Sequence, residues 1–277
     1  MLTRKSKLFL TKTVSLFSVV RGYNIWVVAL AQYLSSIFIL AINKRALDVL
    51  LDWRLFLIVS ASSLTIASGY IINNFYDTKK DLINRPRKAM LDRLVSQGTK
   101  LKVYFSINLF VVFLASFISW KAILFFSSFI FIIWYYSHKL KKYPIIGNLT
   151  AAFLAVLPFF GVLMYYKNFY DVIFAHATFL YLLILLREFV KDLENIEGDL
   201  VADYKTIPVL YGEVAAKYTI TVLIILTIIP VYFLIDVYDV GYMDVYFYIS
   251  YMFLLFFQKL KLALLFLDGK LRISSKL

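Results

Sequence analysis

Residues 54–81 read RLFLIVSASSLTIASGYIINNFYDTKKD. The stretch 54–74 is apolar and free of acidic residues. At 1.5 Å rise per residue, about 20 such residues cross a bilayer. The run ends in Asn73, Asp77 and Asp81, spaced by four. Each step of four drifts only about 40° around a helix, so the three share one face. An apolar span with oxygen donors striped down its end sets both the fold class and the chemistry to look for.

The rest of the chain repeats the first half of that pattern. Of its 277 residues, 62% are hydrophobic and 17% are charged, and the mean hydropathy is +0.78. A soluble domain is about 45–50% apolar and about 25% charged, so a soluble, disordered or fibrous protein is excluded. Eight spans are expected, at roughly 22–42, 54–74, 102–119, 121–137, 144–165, 171–190, 214–235 and 242–267. The third and fourth nearly touch at Trp120-Lys121, which reads as a tight hairpin. Strands are not expected, because membrane strands alternate apolar and polar residues. The fold class is therefore an all-α polytopic transmembrane helical bundle, a single membrane-embedded domain over 1–277. With no cysteine and two histidines, disulfide, thiol and histidine-rich metal chemistry drop out.

The net charge of +13 is explained by topology. Laid onto these spans, 25 of the 30 basic residues fall on one side; the other side holds Lys44, Arg45, Arg54, Lys121 and Lys167. The positive-inside rule puts the crowded side, and both termini, in the cytoplasm. The expected setting is the plasma (inner) membrane, with basic residues drawn to anionic lipid heads and no nucleic-acid partner. Residues 1–20 lack a cleavage site and read as an interfacial segment. The connections of about 75–101, 138–143 and 191–213 all lie on the cytoplasmic side.

The last of these connections starts with a second acidic cluster. Asp192, Asn195 and Asp199 are spaced by three and four, again on one helix face. A lone acid at a span end can simply face water. Two spaced clusters on one side, each flanked by basic residues, point instead to a shared site. Their ligands are all oxygen, which suits a hard divalent cation, most plausibly Mg²⁺. Mg²⁺ typically binds through a few carboxylates plus substrate phosphates, and the neighbouring lysines and arginines fit such a substrate.

At this point the residues resemble a known family. Asn73-x-x-x-Asp77-x-x-x-Asp81 followed by Asn84-Arg85-Pro86 resembles the first motif of the UbiA superfamily of intramembrane prenyltransferases. The stretch Lys191-Asp192-Leu193-Glu194-Asn195-Ile196-Glu197-Gly198-Asp199, with Lys205 to Pro208 after it, resembles the second. Tyr136-Ser137, Leu140-Lys141 and Gly147-Asn148 resemble the middle cytoplasmic loop, and Arg21 with Asn24 resembles the entry of the first helix. The Arg187-Glu188-x-x-Lys191-Asp192 form looks closest to the branch that transfers geranylgeranyl to geranylgeranylglycerol phosphate. The family has nine spans against the eight counted, and the chain stops about where the last would begin. Asn74 and Asn195 stand where many members carry Asp; at 195 a carbonyl ligand is kept but a charge is lost.

The resemblance implies a UbiA-like bundle and Mg²⁺-dependent transfer of a prenyl group from a polyprenyl diphosphate to a lipophilic acceptor such as geranylgeranylglycerol phosphate. It implies metal ligation by Asn73, Asp77, Asp81, Asp192, Asn195 and Asp199, of which Asp77, Asp81, Asp192 and Asp199 are the catalytic acids. Substrate contacts are expected from Arg21, Asn24, Arg85, Lys88, Ser137 and Lys141. An aromatic quinone or chlorophyll-type precursor stays open as the acceptor. Readings of another class are a transporter and a non-catalytic relative. A transporter places its ionisable groups near mid-membrane, whereas here they crowd one interface.

Overall fold

The computed structural model describes residues 13–41 and 43–238, and beyond them residues 244, 245, 248–250, 252, 253, 255 and 256. Among these there is no strand. The helices are α1 (13–20), α2 (Gly22–Ser35, extended by a π turn Ser36–Leu40), α3 (Ala46–Leu50), α4 (Trp53–Asn84), α5 (Pro86–Asp92), α6 (Gln97–Ser116), α7 (Trp120–His138), α8 (Ile146–Tyr166), α9 (Asp171–Glu194), α10 (Ile196–Val201), α11 (Ile207–Leu226) and α12 (Ile228–Tyr232). A 3₁₀ turn, Leu140–Lys142, joins α7 to α8, and a π turn, Phe233–Val237, follows α12. Seven helical stretches are long and apolar enough to cross a membrane. They match the first seven expected spans. The eighth, 242–267, lies mostly outside the described residues, as do residues 1–12 of the interfacial segment.

Boundaries follow local chemistry. Asp52 starts α4 by accepting from the Arg54 and Leu55 amides. Ser96 and Ser119 do the same for α6 and α7 through Thr99 and Ala122. Such caps satisfy amides that the first turn leaves open and contribute about 1 kcal/mol each. The Ser119 cap closes the expected hairpin between α6 and α7. Pro86 begins α5; Arg85 before it leaves the helical region at φ −145°, ψ 62°, because a residue ahead of proline disfavours helix.

The main departure from expectation is the length of α4. The span predicted over 54–74 continues unbroken to Asn84. The polar residues past position 73 do not end the helix, because their side chains find partners on α10 and on the 3₁₀ turn. The connections expected over 75–101 and 191–213 are accordingly mostly helical. A second departure lies at Asn195, at φ −113°, ψ 19°. It breaks the chain into α9 and α10, so Asp192 and Asp199 do not share one continuous helix.

α4 is the central helix. Of its apolar window, 56% is buried, against 17% for α2 and 28% for α6. Leu55, Ile58, Ala61 and Ile71 of α4 pack with Val111 of α6, Phe126 and Phe129 of α7 and Val162 of α8 in one core. A second core joins Leu186 and Phe189 of α9 to Ala216 and Ile220 of α11, with Ala152 of α8 between them. Inside the bundle, Gln32 donates to Ser62 Oγ (3.1 Å) and to the Pro158 carbonyl (2.8 Å). This ties α2, α4 and α8 together beside the proline inside α8.

Two contacts fix the polar end of α4. The first is a buried network around Asn74. Its amide donates to Asp92 Oδ2 (2.9 Å) and its carbonyl accepts from Lys100 Nζ (2.8 Å). Ser18 Oγ donates to the other Asp92 oxygen (3.0 Å), and Ser15 Oγ to the Leu91 carbonyl (2.7 Å). One asparagine thus pins α1, α5 and α6 to α4. The second contact is the approach of α10. Asn84 Oδ1 accepts from the Gly198 amide (3.2 Å), and a Cβ at 198 would overlap the Asn84 amide. Glycine is required there for close approach.

Two predictions follow from these contacts. Asn74→Asp sets a carboxylate against Asp92 and costs roughly 2–4 kcal/mol by stranding a buried charge. The double variant Asn74→Asp/Asp92→Asn regains most of it, because Lys100 and an amide again face one carboxylate. Thermal unfolding in detergent reads both, and an unchanged midpoint for Asn74→Asp would remove the network's role. Gly198→Ala forces α10 off α4 at a cost of about 1–3 kcal/mol, measured the same way; a wild-type midpoint would contradict the close approach.

Candidate active site

The polar ends of α4, α7, α9 and α10 meet at one end of the bundle. Asp77, one helical turn beyond Asn73, is 8% exposed. Its Oδ1 accepts from Lys141 Nζ at 2.5 Å and from Tyr204 Oη at 2.6 Å. Lys141, on the 3₁₀ turn, also donates to Asn73 Oδ1 at 3.0 Å. Contact of one ammonium with both residues shows that Asn73 and Asp77 share a face, as their spacing requires.

Asp199 of α10 is fully buried. It pairs with Lys80 of α4 and accepts from Thr206 Oγ1 at 3.3 Å. The Lys80 ammonium also lies over the Tyr204 ring, 4.6 Å from its centroid, a cation–π contact. Tyr204 in turn donates its amide to the Asp199 carbonyl (2.8 Å) and its hydroxyl to Asp77. Lys80 and Tyr204 therefore stitch the first acidic motif to the second across 122 residues of sequence (77 to 199). The Lys205 amide bonds to the Lys142 carbonyl (2.9 Å) and holds the 3₁₀ turn against the same segment.

The electrostatics are those of a buried polar cluster. Burial raises the Asp199 carboxyl above the usual carboxylate range, against the opposing pull of Lys80. Burial, and then the Asp77 carboxylate, push the Tyr204 phenol well above its ordinary value. Tyr204 is thus a fixed hydrogen-bond donor near neutral pH and not a base.

The remaining predicted residues divide into three groups. Asp192 accepts from Asn148 Nδ2 at 2.7 Å and stands in the electrostatic field of Asp199 and Lys80, so it belongs to the cluster. Asp81, one turn beyond Asp77, lies in the field of Asp77 and also of Lys88, Arg21 and Arg85. Those three cations line a separate cavity beside it. Asn24 donates to Tyr70 Oη (3.0 Å), and Arg21 lies over the Tyr70 ring (5.3 Å). Ser137 is buried at the end of α7, with its Oγ unpaired among the described residues. Asn195 gives its amide nitrogen to the Lys191 carbonyl (2.6 Å), and Asn74 faces Asp92 and Lys100, not Asp77.

Three residues that complete the cluster escape a reading by motif. Lys80 lies inside the first motif but off its four-residue spacing. Tyr204 is one aromatic among many, flagged only by its place just before Lys205. Asn148, in the pair Gly147-Asn148, is a neutral side chain 44 residues from its partner Asp192. His138 is exposed at the end of α7, where it stacks on Trp134 (5.5 Å) and meets Tyr76 edge-on (5.4 Å).

Among the described residues no three His, Cys, Asp or Glu side chains converge as a ready metal cage. The donors present are carboxylate and amide oxygens, a set that suits Mg²⁺ completed by a phosphate ligand rather than an all-protein cage. Asp77 and Asp199 are both buried and both held by a lysine.

Known proteins resemble this chain in sequence and in fold. The model of the UbiA prenyltransferase family matches residues 29–266. The digeranylgeranylglyceryl phosphate synthase of Methanobrevibacter smithii is 29% identical over 227 residues, covering 76% of each chain. That of Thermococcus gammatolerans is 35% identical over 167 residues, so the matched stretch spans about three-fifths (59%) of each chain. A UbiA homolog from Archaeoglobus fulgidus, solved bound to DMAPP and Mg²⁺, shares the fold with a TM-score of 0.70 at 17% identity, over 92% of this chain and 87% of that one. A structure of digeranylgeranylglyceryl phosphate synthase shares it with a TM-score of 0.66 at 21% identity, over 95% of both chains. With a family match over most of its length, this chain belongs to the UbiA prenyltransferase family.

Proposed function

We propose that the protein transfers a prenyl group, geranylgeranyl by its relatives' names, from its diphosphate to a lipid acceptor of the glycerol phosphate type. The observation that carries the reading is the joining of Asp77 and Asp199 through Lys80, Lys141 and Tyr204 in one buried cluster. A prenyl diphosphate needs such a place: oxygen ligands for a metal, cations for its own oxygens, and walls that keep water off the reacting carbon. The relatives' names add the acceptor class. Homologues solved with DMAPP or GPP and Mg²⁺ add the donor class and the metal.

On this reading Asn73, Asp77 and Asp81 serve one metal position, and Asp192, Asn195 and Asp199 the other. Mg²⁺ bound there supplies charge neutralisation of the diphosphate and polarisation of the leaving oxygen. The chain's own groups do the rest. Lys141 and Lys80 are poised to exchange a carboxylate partner for a phosphate oxygen, since each ammonium has three donors to give. Tyr204 keeps Asp77 oriented. The acceptor hydroxyl oxygen bonds to the first carbon of the prenyl chain as the bond from that carbon to diphosphate breaks. The diphosphate leaves with the electron pair and takes up the hydroxyl proton. The distribution of basic residues supports a cluster facing the cytoplasm from the plasma membrane.

The test is release of diphosphate from geranylgeranyl diphosphate by purified protein in detergent, with alkylglycerol phosphates and hydroxylated aromatics offered as acceptors. Acceptor-dependent release that a chelator abolishes is expected. Asp77→Asn and Asp199→Asn each lower turnover at least about 100-fold, the scale of a lost electrostatic catalytic contact, with a cooperative unfolding transition retained. Undiminished turnover in both variants would remove the cluster from the reaction.

A further inference from the structure

Arg21, Arg85 and Lys88 converge on a cavity of about 350 Å³ that is set apart from the lysines of the acidic cluster. Phe17, Ser18 and Tyr23 also line it. The cations come from three places: the joint between α1 and α2, the break between α4 and α5, and α5 itself. Arg21 sits in the left-handed region at φ 52°, a conformation that costs a non-glycine residue energy and persists where its surroundings impose it. The surroundings here are tight, since a Cβ on Gly22 would overlap the Phe17 ring.

Among the described residues these charges are only weakly countered. Among the described residues neither Arg21 nor Arg85 has a carboxylate within ion-pair distance. Lys88 reaches Asp92 only at 3.8 Å, and both Asp92 oxygens already accept closer hydrogen bonds from Ser18 and Asn74. Burial, and then the neighbouring Arg21, hold the Lys88 ammonium below its ordinary pKa. Three crowded cations at the mouth of an aromatic-walled cavity are arranged for an anion carried on an apolar body.

Resting on the proposed prenyl transfer, we infer that this cavity holds the phosphate monoester of the lipid acceptor, leaving the donor diphosphate to the Lys80–Lys141 cluster. A phosphate monoester carries about −1.5 to −2 charge near pH 7. Two guanidinium forks and an ammonium match that charge and its oxygen geometry. A phenolic or quinol acceptor offers the same cations nothing comparable. Asp81 lies in the field of all three cations and also of Asp77, so the cavity borders the acidic cluster. A glycerol phosphate ether bound there keeps its free hydroxyl a few bonds from the phosphorus, on the side of the reacting centre. Arg21, Arg85 and Lys88 thereby become the residues that select the acceptor.

The experiment has a binding arm and a turnover arm. Calorimetric titration of the full-length protein in detergent, without donor or metal, compares an alkylglycerol phosphate with the same alkylglycerol lacking phosphate. Inorganic phosphate is the third titrant, to separate headgroup binding from free-anion binding. Wild type is expected to prefer the phosphorylated lipid, and Arg85→Gln and Lys88→Gln to weaken that binding at least tenfold while leaving the phosphate-free lipid unchanged. Lys88→Arg should restore it. Inorganic phosphate should bind more weakly than the phosphorylated lipid. In turnover, the same Gln variants raise the acceptor KM at least tenfold and move the donor KM less than twofold. Absence of phosphate-dependent lipid binding in wild type, or a donor KM that rises in step with the acceptor KM, overturns the assignment. Phosphate-dependent binding without any metal-dependent transfer would leave the site standing and sink the proposed transfer reaction.

Discussion

The structure depends on the neutralisation of two buried carboxylates. Asp77 and Asp199 are removed from water at the end of a helical bundle, where an unpaired charge costs several kcal/mol. Lys141 and Lys80 meet that cost, and each comes from an element other than the one carrying its partner. The 3₁₀ turn after α7 has to lie against α4, and α10 has to lie against α4 as well. The hydrogen bond from Gly198 to Asn84 and the Lys205–Lys142 backbone bond then complete a docking that the ion pairs demand. The proposed catalytic cluster is thus also the joint that holds the cytoplasm-facing ends of the helices together, on the proposed orientation.

Much of the fold was legible because a bilayer leaves few options. Unbroken apolar runs of the right length are helices. The shared face of Asn73 and Asp77 was readable for a similar reason, since spacing by four has one helical meaning. What escaped was whatever depends on how separate elements meet. The full length of α4 was hidden because Asp77, Lys80 and Asn84 look like the polar end of a span until their partners 60 to 120 residues away are known. The break at Asn195 was hidden because the acidic spacing runs through it without interruption. Lys80 and Tyr204 carry no distinguishing pattern of their own.

Asn74 shows how a departure from a motif is misread when only the motif is considered. An asparagine beside the ligand-bearing stripe reads as a lost charge. In the structure it belongs to another face and mediates between Asp92 and Lys100, donating to one and accepting from the other. An amide is suited to that position because it does both. Asn195 is a different case: its side-chain nitrogen closes the broken end of α9, which leaves its side-chain carbonyl for the proposed metal.

The overhang of α4 has a consequence for where things go afterwards. The helix has 32 residues, or about 48 Å at 1.5 Å per residue, against a hydrocarbon core of about 30 Å. Counting from Trp53, Asn73 stands about 30 Å along, and the turns carrying Asp77, Asp81 and Asn84 project beyond. On the proposed site and orientation, the chemistry occurs at headgroup level. On that placement the released diphosphate is a water-soluble anion, while the lengthened lipid stays apolar and belongs in the leaflet. The two products partition into different phases from a single point, which disfavours the return reaction without any gate.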